Sequence, residues 1–166
     1  GTLAVSPATV AVASADNRLE FQFRNENRGA YSAGSRLELT VPAGWSAPHA
    51  VDQAGPGYVA VASTSGTATA SILSVAGAGP WIVTVNFTAT KGAANGFDLR
   101  YAGVAAPATT GTYVFASQTR QSGGTLTDLA ASPTVSVAKG SQTIVFPAIP
   151  ALRSDGSRGG RRGSGR

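Results

Sequence analysis

The stretch RLEFQFR, residues 18–24, decides the fold: Leu19, Phe21 and Phe23 alternate with Glu20 and Gln22, so an extended chain turns its apolar groups one way and its polar groups the other. This period of two marks a strand with one buried face and one wet face. It recurs in RLELTV (36–41), GYVAVA (57–62), ATASILSV (68–75), WIVTVNFTA (81–89), FDLRY (97–101) and TYVFASQ (112–118), and no stretch carries a convincing helical period. Turns fall about every 8 to 12 residues, the spacing of a sandwich of short strands. The expected fold is all-β: an antiparallel β-sandwich with an extra C-terminal strand and an Arg/Gly-rich tail.

Between the strands, turn chemistry sets the expected connections. Pro7 interrupts the first strand, over residues 3–12, where proline is tolerated because the strand bends or changes sheets. Ser63 to Thr67 reads as a polar turn joining two neighbouring strands, and Gly77-Ala78-Gly79-Pro80 opens the strongest strand. Asn95-Gly96 reads as a turn ahead of Phe97. Thr134-Val135-Ser136-Val137 is the last strand of the domain, and Lys139-Gly140 marks its boundary. The chain then divides into a sandwich domain (1–138), a linker with an extra or donor strand (139–150) and a basic Gly/Arg/Ser-rich tail (151–166).

Composition narrows the class. The 166 residues are 42% hydrophobic, enough for one sizeable core, and 21 Gly with 9 Pro suit many tight turns. Only 13% are charged, where about a quarter is usual, and the Thr/Ser/Ala/Gly/Val-rich balance points to an extracellular or cell-surface, secreted bacterial protein. With no Cys, the domain is held by pairing and packing alone, and neither thiolate metal sites nor redox chemistry is open to it. No apolar run is long enough to span a bilayer, so no transmembrane segment is expected. Residues 1–3 enter strand-like sequence directly, and any export signal is expected to have been removed. The formal charge of +5 lies wholly beyond residue 138, where Lys139, Arg153, Arg158, Arg161, Arg162 and Arg166 face Asp155 alone. Block charge in a Gly/Ser-rich tail makes loose contacts, and without interleaved aromatics nucleic acid is not the expected partner.

The residues from which active sites are built are few. His49 is the only imidazole, no GxSxG elbow accompanies it, and a loop His amid Pro and Ala is an exposed bystander more often than a base. Glu20 and Glu38 fall on strands that look adjacent, which raises a glycosidase-like carboxylate pair, but with Arg18, Arg24 and Arg36 nearby they read more simply as surface charge pairing. Asp16, Asp52, Asp98 and Asp128 border loops without the spacing of a calcium loop. Asn86-Phe87-Thr88 fits the glycosylation pattern but lies mid-strand. A Lys–Asn isopeptide bond at Lys91 or Lys139 needs a buried lysine, and both adjoin Gly in expected loops. No cofactor, no metal and no catalytic residue is assigned, and the protein is not expected to be an enzyme. Trp45, Tyr58 and Tyr101 form a candidate ligand platform for stacking on cell-surface polysaccharide; Trp81, in register with Val83 and Val85, is expected in the core.

LTVPAGWSAP (39–48), GYVAVAS (57–63), APATTGTYVFASQTR (106–120) and SGGTLTDLAASPTVSV (122–137) resemble the repeated immunoglobulin-like β-sandwich domains of large bacterial surface and secreted proteins. SQTIVFPAIP (141–150) is similar to the opening strand of the repeat that often follows in such proteins, but an Arg/Gly sequence stands where the next domain would continue. The resemblance implies a non-catalytic extracellular stalk, adhesin or filament module, and supplies no catalytic residues. An assembly mechanism follows from the layout: Gln142, Thr143, Ile144, Val145 and Phe146 form an alternating strand that adds to an open sheet edge on another copy, giving a homopolymer or docking on neighbouring repeats. A carbohydrate-binding β-sandwich module is the alternative.

Overall fold

In the computed structural model, residues 1–26 and 29–140 are described. Among them there is no helix; twelve strands build two packed layers, and the fold is an all-β sandwich. The first layer holds β1 (Thr2–Ser6), β3 (Asn17–Asn25), β8 (Gly92–Val104) and β5 (Tyr58–Ser65), in the order β1-β3-β8-β5 and antiparallel throughout. The second holds β11 (Thr127–Asp128), β10 (Ser117–Arg120), β4 (Tyr31–Val41), β7 (Trp81–Ala89) and β6 (Thr69–Gly77), in that order. A three-stranded sheet of β2 (Thr9–Ala11), β12 (Thr134–Ala138) and β9 (Gly111–Val114) prolongs this second layer, because only Phe115 and Ala116 separate β9 from β10. The Ala116 carbonyl accepts from Thr40 N at 2.8 Å, which carries the pairing of β4 across that gap.

Alternation produces this arrangement residue by residue. Leu19, Phe21 and Phe23 on β3 are fully buried, as are Leu37, Leu39 and Val41 on β4 and Val83, Val85 and Phe87 on β7. Side chains from both layers interdigitate at one end of the core: Phe23 lies 5.2 Å from its stacked cross-strand partner Phe97 and 4.9 Å, edge-on, from Phe87 of the opposite layer. At the other end Phe21 packs on Phe115 at 5.0 Å, and Trp45 meets Phe115 at 5.4 Å. Burying side chains of this size contributes roughly 1.5–3 kcal/mol each, the main term available to a domain without disulfides.

Pro7 separates β1 from β2, and the split first strand does change sheets: β1 pairs with β3, whereas β2 runs parallel to β12. Two connections depart from the sequence expectation. The turn at 66 joins β5 to β6, but the two strands lie on the edges of opposite layers and do not pair with each other. Asn95-Gly96 is not a turn; it lies inside β8, where a β-carbon at Gly96 would sit 1.9 Å from the Phe23 carbonyl oxygen. Glycine is needed there for close backbone approach, while Asn95 Oδ1 accepts from Thr67 N at 2.8 Å and ties β8 to the β5–β6 connection. Local turn statistics lose at this position to strand pairing.

Candidate functional site

The candidate residues that the sequence singles out scatter over the surface and the core. Of the three platform rings, Trp45 is 3% and Tyr101 1% exposed, so neither offers a face to a ligand. Trp45 stands edge-on to Tyr113 at 5.9 Å, and the Tyr101 hydroxyl donates to the Ser46 carbonyl. Burial pushes that hydroxyl well above its ordinary value. Tyr58 alone keeps partial exposure, so the three rings do not assemble a common platform. Gln142, Thr143, Ile144, Val145 and Phe146, and the tail arginines Arg153, Arg158, Arg161, Arg162 and Arg166, lie outside the described residues.

Polar candidates are equally dispersed. Glu20 and Glu38 are not on adjacent strands, because β3 and β4 belong to opposite layers and both residues point outward. Glu20 pairs with Arg18 and, at 3.6 Å, with Arg100; Glu38 faces Gln118 across one ladder and Thr84 across the other. The His49 ring bonds the Pro56 carbonyl at 3.2 Å, while its backbone N donates to Gly57 O and its carbonyl accepts from Val59 N at 2.7 Å. It staples a loop to the start of β5. Asp98 is bound to Arg24 at 2.8 Å and Ser63 at 2.7 Å, and Asp128 to Gln118 at 2.8 Å. Among the described residues no three His, Asp or Glu side chains gather as metal ligands. Lys91 and Lys139 are exposed, unlike the buried lysine that an isopeptide bond requires.

What the fold does assemble is an apolar groove of about 430 Å³ along β6, the outermost strand of its layer. One wall is the edge from Ile72 to Gly77, the other the loop Pro48–Val51, and Trp81 closes it. Two of the four large hydrophobic residues most exposed among those described line it: Val51 at 94% and Leu73 at 44%. The cause is local. Ile72 pairs with Val85 and Ser74 with Thr84, so Leu73 is an extra residue, a β-bulge that breaks alternation. Trp81, expected in the core, is half-buried: it packs against the core and also lines this groove. The adjacent apolar residues Ile72-Leu73, followed by Val75, are the sequence signal for this bulge. By themselves they read only as part of a strand.

The groove and its edge carry no Lys, Arg, Asp, Glu or Pro over residues 69–77. Edge strands are ordinarily guarded by such residues or by a covering loop; β6 has the bulge, and the loop Pro48–Val51 stands across the groove from it. Among the described residues no strand pairs with the outer side of β6, so the site offers backbone N–H and C=O groups beside apolar side chains, which suits an extended chain. No protein-family model matches this chain, and none of the curated proteins matches its sequence.

Proposed function

We propose that the protein is a non-catalytic extracellular structural or adhesive module, of the kind that builds bacterial surface stalks and filaments, and that it assembles by adding residues 142–146 to a sheet of another copy. One observation carries the reading. β12 lies between β2 and β9, with Val135 and Val137 buried, so the strand ending at residue 138 is already built into the core. The alternating segment that follows carries neither charge nor glycine over residues 141–152. Extended apolar segments of this type gain ladder hydrogen bonds by joining an open edge. The neutral balance of residues 1–138 allows copies to approach without long-range repulsion.

The test compares the full chain with a chain ending at Gly140, by light scattering after gel filtration and by electron microscopy. The full chain forms concentration-dependent linear oligomers, and the shortened one is a monomer with an unchanged melting temperature. A full chain that stays monomeric at high concentration, or a shortened chain that still polymerises, overturns the proposal.

A further inference from the structure

We infer that the β6 edge, with the groove between Ile72–Gly77 and Pro48–Val51, is the acceptor for residues 142–146 of a second copy. The inference rests on the strand-addition reading above and names its partner surface. Other edges are less suited. β2, β9 and β11 have three, four and two residues, too few to anchor a five-residue strand. The start of β5 is covered by the His49 staple, and β1 offers five residues. β6 offers nine, uncharged and with no strand on their outer side among the described residues, and Leu73, Val51 and Trp81 stand beside them.

Geometry selects a second copy over the chain's own segment. The described chain leaves β12 at Gly140, beside Ala11, at the border of the second layer opposite β6. Four strand spacings separate β12 from β6 through β9/β10, β4 and β7, about 19 Å along the layer. Two residues from Gly140 to Gln142 span at most roughly 7 Å, so only the far end of the segment could touch its own β6. A donor at one border and an acceptor at the other is a heterologous contact, which repeats into a fibre without closing. Side chains match as well: alternation puts Ile144 and Phe146 on one face of the strand, with Gln142, and Val145 on the other, with Thr143, so either register lays apolar groups over the groove.

The natural absence of cysteine makes the test direct. Full-length chains carry Thr143→Cys together with one edge cysteine: Ser71→Cys or Ala76→Cys on β6, Ala4→Cys on β1, or Ser63→Cys on β5. Each is oxidised and run on a denaturing gel without reductant. A covalent ladder from the β6 pairs, absent from the others, supports the assignment. A ladder from the β1 or β5 pair alone overturns the acceptor while leaving strand addition standing, and no ladder from any pair overturns both. An internal disulfide in a monomer overturns the second-copy occupant. As an independent readout, Leu73→Lys weakens oligomerisation at least roughly tenfold while Leu73→Ile retains it; equal oligomerisation by both variants removes the groove from the contact.

Discussion

At the scale of single residues, two positions mislead when read without their neighbours, and each for a physical reason. Tyr101 looks like a binding aromatic in FDLRY, yet its alternation with Arg100 places it in the core, where its hydroxyl donates to Ser46 O. The folded chain holds that proton more tightly than the unfolded chain, whose tyrosine titrates near 10. A raised acid of this kind lends stability that is whole below about pH 10 and is lost as pH rises towards the folded value. Tyr101→Phe is therefore expected to cost about 1 kcal/mol at neutral pH through the lost hydrogen bond, and to flatten the alkaline fall in stability by up to one proton. Denaturant midpoints measured from about pH 8 to 12 check both halves. Gly96 is the second case: its value lies in the missing β-carbon, and only the Phe23 carbonyl across the ladder reveals that need.

At the scale of elements, the strands were legible and their partners were not. Period-two alternation locates β3, β4, β7 and β12 because burial on one face imposes it. Whether β5 pairs with β6 or parts from it depends on which layer edge each reaches, and the intervening turn looks the same either way. β12 shows the alternation at its most consequential, since Val135 and Val137 face the core while Ser136 is half-exposed. Val135→Asp is expected to abolish folding, because an unpaired charge cannot be buried there. Ser136→Asp should change stability by less than about 1 kcal/mol. Circular dichroism with thermal melting separates them, and equal tolerance of both would contradict the register. The bulge in β6 belongs to this scale too: it sends Leu73 out of alternation and creates an apolar site that no motif announced.

At the scale of the whole molecule, both layers share one core from Leu3 to Val137. A single core without disulfides is expected to unfold in one step, so tryptophan fluorescence and far-ultraviolet circular dichroism should give coincident denaturation curves for the chain ending at Gly140. Separated curves would show that the β2-β12-β9 sheet comes apart on its own. Among the described residues, the same layout leaves the end of β12 and the longest edge without a neighbouring strand on opposite borders of one layer, which is the feature the assembly proposal uses. The amino-acid sequence by itself determined that this is an all-β sandwich, that its first strand is split, that its net charge is confined to residues 139–166 and that it holds one His and no Cys. These follow from periodicity and composition, which are local or additive. Only the tertiary structure decided that Trp45 and Tyr101 are buried, that Glu20 and Glu38 lie on opposite layers and that Leu73, Val51 and Trp81 meet in one groove. Strand order and bulges bring distant residues together, and the free energy that selects them is spread over long-range packing that no single stretch of chain contains.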